Sequence, residues 1–111
     1  GARLKTNRQQ KAYLGIQKLQ QSYVADTILE ELSAATTKLT ETEQQVKTAR
    51  ENMALAEENL DLVTFSYNEG KASMVDVLSA QLSWTQAQTN LINAHLAAKM
   101  AVAEYRKAIS E

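Results

Sequence analysis

The sequence predicts an all-α protein: a long antiparallel coiled-coil hairpin whose two arms differ in length. The 111 residues include no proline and only three glycines, of which Gly70 is the only one after residue 16. On both sides of Gly70, apolar residues recur at alternating steps of three and four positions, which is the period of a coiled-coil seam. Such a chain is expected to run as one helix, reverse once near Gly70, and return as a second helix.

The first helix is predicted over about residues 3–67. Thirteen positions form its seam, and eleven of them are plainly apolar. They are Ala25, Ile28, Leu32, Ala35, Leu39, Thr42, Val46, Ala49, Met53, Ala56, Leu60, Val63 and Tyr67. The weakest stretch is SAATTKLTET at 33–42, where Thr40 and Glu43 have the spacing of a capping box. Because the seam continues in phase through this stretch, the helix is expected to be unbroken.

The second helix is predicted over about residues 74–109, and two apolar stripes run along it. The first stripe is Val77, Ala80, Trp84, Ala87, Leu91, Ala94, Ala98, Ala101, Tyr105 and Ala108. Alanine occupies every second position of this stripe, which favours a close approach of two helix backbones. The second stripe, expected beside the first, is Val75, Leu78, Leu82, Thr85, Thr89, Ile92 and Leu96. Two stripes predict two neighbouring helices, as in a wall or bundle.

The turn is predicted over residues 68–73. Gly70 can adopt the left-handed conformation that ends a helix. Ser73 and Asp76 have the spacing of a capping box, and the Asp76 carboxylate suits the positive end of a new helix. Stop and start signals therefore lie within about six residues, and the two helices must be antiparallel.

The two arms are unequal. At 1.5 Å per residue the first helix would measure about 95 Å and the second about 54 Å. The second helix can therefore cover only residues near 30–66 of the first. About 25 residues project beyond it, with a looser stripe at Tyr13, Ile16, Leu19 and Tyr23. This overhang is expected to self-associate in the isolated chain, as an antiparallel dimer.

Composition excludes several function classes. The formal net charge of −1 and the absence of a basic face predict no nucleic-acid partner. There is no cysteine, no paired nucleophile and histidine, and no glycine-rich phosphate loop. We therefore expect no enzyme activity, no cofactor and no metal site. The first residues read as the middle of a helix, so residues 1–111 are expected to be a single fragment of a longer protein.

A motif around the turn resembles one family. Tyr67, Gly70, Ser73 and Asp76 are followed by an aliphatic-Leu pair and an Ala-Gln pair within the segment YNEGKASMVDVLSAQ. This order is similar to the second repeat of the TolC-like outer-membrane efflux proteins. The lead-in ENMALAEENLDLVTFSY and the alanine-rich return helix also resemble that family.

The resemblance implies a function. The chain would be a periplasmic hairpin of a homotrimeric efflux channel of the outer membrane, and part of its α-helical barrel. The tip would dock a periplasmic adaptor, and through it serve an inner-membrane transporter indirectly. The docking tip would comprise Asn68, Glu69, Gly70, Lys71, Ala72 and Ser73. Tyr67 would help to hold the channel mouth closed, and Asp76 would face the lumen.

Two alternatives remain open at the level of sequence. The chain could be the α-hairpin of the adaptor itself, although the Arg, Leu and Ser tip signature of adaptors is not found here. It could also be an unrelated coiled-coil scaffold or a three-helix bundle with a break at residues 33–40. A compact monomer would favour the bundle.

Overall fold

The computed structural model describes residues 1–110 and contains two helices. Helix α1 spans Ala2–Asn68 and helix α2 spans Met74–Ser110. They are antiparallel, and the molecule measures 102 × 20 × 13 Å. The predicted all-α fold, a long hairpin with unequal arms, is confirmed. Each predicted helix boundary lies within one residue of the observed one.

The two helices meet through a seam with one fixed register. Val63 and Ala80 line one groove between the helices, and Ala49 and Ala94 line another. Ala35 and Ala108 line a third groove at the far end. The same register places Thr42 opposite Ala101 and Ala56 opposite Ala87. Layers of small side chains therefore alternate with layers of large ones along the hairpin.

The small layers are the most deeply buried part of the molecule. Thr42 is 1 % exposed and Ala101 is 2 % exposed. The Thr42 hydroxyl donates to the carbonyl oxygens of Lys38 and Leu39, at 2.8 and 3.1 Å. A buried hydroxyl with a backbone acceptor carries no desolvation penalty from a missing hydrogen bond. Thr42 can therefore fill a seam position otherwise occupied by alanine.

Helix α1 is continuous through SAATTKLTET, as predicted. The threonines of this stretch bond back into the helix: Thr36 donates to the Leu32 carbonyl at 2.8 Å, and Thr40 to the Thr36 carbonyl at 3.3 Å. The Thr40 hydroxyl is thus engaged within the helix and does not cap a new one. The three-helix-bundle alternative is wrong for this chain. Its radius of gyration is 28.0 Å, against about 13 Å for a globule of this length.

The second stripe of α2 lies on the opposite face from the seam, and the expectation that it lies beside the seam is wrong. The exposure of its large side chains ranges from 55 % at Leu78 to 72 % at Leu82. At 3.6 residues per turn the two stripes are separated by about 150° around the helix. In this hairpin the face with Val75, Leu82 and Ile92 has no neighbour.

Tyr67 is also placed differently from the prediction that it closes the seam. It is 38 % exposed, whereas Ser66 and Ala72, which also lie near the turn, are half-buried. The reason is its position at the end of the hairpin, where no further layer covers the outer side of a large ring.

The first part of α1 projects beyond α2. Every residue from 1 to 26 is exposed, including large apolar side chains between Leu4 and Val24. Of residues 1–110, none lies in a helix with both the length and the hydropathy needed to cross a membrane.

Candidate functional site

The end of α1 is built around Gly70. Its φ is +75°, in the left-handed region that favours glycine. The Lys71 amide donates to the Ser66 carbonyl at 2.8 Å, and the Gly70 amide donates to the Tyr67 carbonyl at 3.0 Å. This pair of bonds is the Schellman motif, which satisfies the last carbonyls of a helix. The chain therefore stops at Asn68 for a local reason that the sequence already contains.

The start of α2 is a capping box. The Ser73 amide donates to the Asp76 carboxylate at 2.9 Å, and the Asp76 amide donates to the Ser73 hydroxyl at 3.2 Å. Hydrogen bonds from the Ser73 backbone and side chain lower the pKa of Asp76 below its usual value. Asp76 is therefore ionised at neutral pH while it holds the first turn of α2.

Removing the cap is the first testable change. Ser73→Ala should lower the free energy of unfolding by about 1 kcal/mol. It should raise the pKa of Asp76 only part of the way to its usual value, because the backbone amide of residue 73, the larger cause of the lowered pKa, is kept. Because the folded pKa is depressed, the contribution of Asp76 is present at neutral pH and is lost as pH falls through that depressed value. NMR titration of the Asp76 carboxyl carbon measures the pKa, and urea unfolding measures stability.

Ser79→Ala is the matched control, because it removes a hydroxyl from the same face of α2 beyond the first turn. It should leave both quantities nearly unchanged. Equal shifts in the two variants would mean that the cap does not set the pKa of Asp76.

The predicted docking residues form one exposed surface at the tip. Asn68, Glu69, Gly70, Lys71 and Ser73 are exposed, and Ala72 is half-buried. Apart from Gly70 and its two chain neighbours, no residue has an atom within 4 Å of the position where a Gly70 side chain would begin. A partner could therefore approach the turn backbone directly.

A shallow groove of about 390 Å³ opens beside the tip. It brings Lys71, Ala72 and Asp76 together with small polar residues that are not among the predicted site residues: Asn59, Ser66, Ser79 and Ser83. The heptad pattern could have identified these residues, because each of them comes one position before a seam residue and therefore flanks the seam on the same side. Tyr67 does not line this groove, so the structure does not bring Tyr67 and Asp76 into one cluster there.

The two sides of the hairpin differ in charge. Beyond Asp76, the groove on the same side is lined by amides, hydroxyls and alanines, such as Gln45, Asn52 and Asn90. Charges return toward the far end, first at Glu41 and then where Glu31, Lys38, Glu104 and Lys107 line a third groove. The opposite side of α1 carries a series of exposed charged residues: Glu43, Lys47, Arg50, Glu57 and Asp61. The tip charges are thus separated from all others on their side by a long neutral stretch.

Within residues 1–110, no group of three acidic, histidine or cysteine side chains is arranged to hold a metal ion. Comparison of the chain with protein-family models, curated proteins and solved structures gives no match. The tip geometry and the apolar faces are therefore the observations on which a function can be argued.

Proposed function

We propose that this chain is a periplasmic segment of a trimeric outer-membrane efflux or secretion channel of the TolC-like family. In this role the hairpin is part of the wall of an α-helical barrel. Its tip docks a periplasmic adaptor protein, which connects the channel to an inner-membrane transporter. The role is mechanical and does not involve catalysis.

The observation that carries the proposal is the position of the Tyr67–Gln81 motif. It coincides with a helix reversal in which a Schellman motif at Gly70 is followed by a capping box at Ser73 and Asp76. The Schellman motif uses backbone groups alone, and the capping box uses the side chains of Ser73 and Asp76. The side chains of Asn68, Glu69 and Lys71 are exposed and stay free for a partner. Such a rigid, exposed turn suits docking, because little entropy is lost when it binds.

The apolar faces of α2 support a place in a wall of helices. One face packs on α1, and the nearly opposite face is exposed along most of the helix, from Val75 to Leu96. Exposed apolar residues in such a continuous row mark an interaction surface. A helix in a single-layered wall needs two contact faces about this far apart, one for each neighbour.

Within the proposed channel, Tyr67 and Asp76 act at the mouth. Asp76 is ionised and exposed at the beginning of α2, and would present a carboxylate to molecules entering the lumen. Tyr67 keeps part of its ring exposed and would contact a neighbouring hairpin to hold the mouth closed. Contacts from the adaptor would then shift helix packing and widen the opening.

Binding at the tip can be tested with an isolated adaptor α-hairpin that carries the Arg, Leu and Ser tip signature. In ¹⁵N NMR spectra of this chain, we expect chemical-shift changes confined to residues 67–76. Lys71→Glu should weaken or remove this binding, since it reverses a charge at the centre of the proposed contact. Lys99→Glu, an exposed lysine far along α2, is the matched control and should bind as the unchanged chain does.

Shift changes along the α2 stripe or in the overhang, with none at the tip, would contradict tip docking. So would the absence of any shift change at millimolar adaptor concentration. Equal binding by the two charge variants would show that Lys71 takes no part.

A further inference from the structure

The overhang of α1 carries an ordered pattern of apolar and charged residues that the hairpin does not use. Tyr13, Ile16, Leu19 and Tyr23 fall within an arc of about 120° on the helix surface, at 100° per residue. Their side chains are 55 to 74 % exposed. We define these four residues as the overhang stripe. It faces away from the seam with α2, so a helix lying on it would not collide with the end of α2.

Charged residues flank the stripe asymmetrically. Two basic residues, Lys5 and Arg8, precede the stripe and lie in or next to the same arc. Two acidic residues, Asp26 and Glu30, follow the stripe and also lie in or next to this arc. All four are exposed. The face is therefore basic at one end, apolar in the middle and acidic at the other end.

We propose that two copies of the isolated chain associate in solution through their overhang stripes as an antiparallel pair. A single register, with the two-fold axis between residues 17 and 18, satisfies the whole pattern. It places Ile16 opposite Leu19 and Tyr13 beside Tyr23 of the second copy.

The same register brings the opposite charges together. Lys5 faces Glu30 of the second copy, and Arg8 lies next to its Asp26. A two-fold axis repeats each contact, so four charge pairs bracket the apolar centre. A parallel pair would instead place Lys5 beside Lys5 and Glu30 beside Glu30, which is repulsive. Charge complementarity across an interface selects orientation in this way.

The interface spans residues 5–30, a length of about 38 Å at 1.5 Å per residue. It leaves both hairpin tips free at opposite ends of the pair. The inference concerns the isolated chain in solution, and it is independent of the proposed docking function because it uses none of residues 67–76.

The first experiment is sedimentation equilibrium over a concentration series. The unchanged chain should form dimers in the micromolar range, and Lys5→Glu with Arg8→Glu should raise the dissociation constant at least tenfold. Lys11→Glu with Lys18→Glu is the matched control: the charge change is the same, but both lysines lie outside the stripe arc. It should shift the constant less than twofold. A chain that is monomeric up to about 1 mM, or equal effects of the two double variants, would overturn the proposal.

The second experiment fixes the orientation and uses the absence of cysteine from the chain. A mixture of Lys5→Cys and Glu30→Cys chains should form a disulfide between residue 5 of one copy and residue 30 of the other. Lys5→Cys alone should not cross-link. Efficient cross-linking of residue 5 to residue 5 would indicate a parallel pair and overturn the proposal. Circular dichroism of each variant verifies that helix content is unchanged.

Discussion

Replacing Ala80 and Ala101 together with leucine is expected to destabilise the hairpin by about 2 to 6 kcal/mol, which is enough to separate the helices in a marginal fold. These are among the most buried side chains, and each faces a small layer of α1 across the seam. Leucine would force the helix axes apart at both layers, since a small residue is what permits their close approach. Urea unfolding followed by circular dichroism measures the loss, and an increase in the radius of gyration reports separation.

Ala54→Leu with Ala103→Leu is the matched control. Both alanines are exposed on helices of the same hairpin, so the added side chains point into solvent. Their effect should stay within about 0.5 kcal/mol. If the two double variants unfolded at the same urea concentration, the small layers would not determine the helix separation.

Replacing Gly70 with alanine is expected to cost about 1 to 2 kcal/mol, because an L-residue is strained in the left-handed conformation. Apart from Gly70 and its two chain neighbours, no residue has an atom within 4 Å of the added Cβ, so the loss comes from backbone conformation and not from a clash with the rest of the hairpin. Gly70→Asn should cost less, since asparagine tolerates this conformation. The measurement is the free energy of unfolding of each variant.

Two controls isolate the conformational cause. D-alanine at position 70, introduced by chemical ligation, should be at least as stable as glycine, because its preferred φ is positive. Gly15→Ala should raise helix content, since Gly15 lies inside α1, again with open space around it. Destabilisation by D-alanine equal to that by L-alanine would contradict the role assigned to φ at Gly70.

Much of the hairpin could be predicted because its signals are local. The left-handed glycine and the Ser73–Asp76 box depend on residues only a few positions apart, so the end of α1 and the start of α2 follow from the sequence. The seam could be predicted for the same reason, because a heptad repeat specifies which side of each helix is buried. The small layer at Thr42 appears in the structure where the repeat places it.

Other features depend on geometry that a list of apolar positions does not contain. The second stripe does not lie beside the seam. The one-residue step from Val77 to Leu78 already separates two side chains by about 100° around the helix, and the average directions of the two stripes differ by more than that. The outward position of Tyr67 reflects the end of the hairpin, which the repeat does not mark. The groove at Asn59 and Ser79 arises only when two helices are placed side by side.

The constant register of the seam also sets an order for folding. Val63 and Ala80 lie close together along the chain, whereas Ala35 and Ala108 are separated by most of its length. Loop closure costs least entropy for the pair nearest the turn. Once that layer has formed, each following layer closes only one more heptad on either side. The hairpin is therefore expected to zip from residue 70 toward its open end, and to fray in the reverse direction.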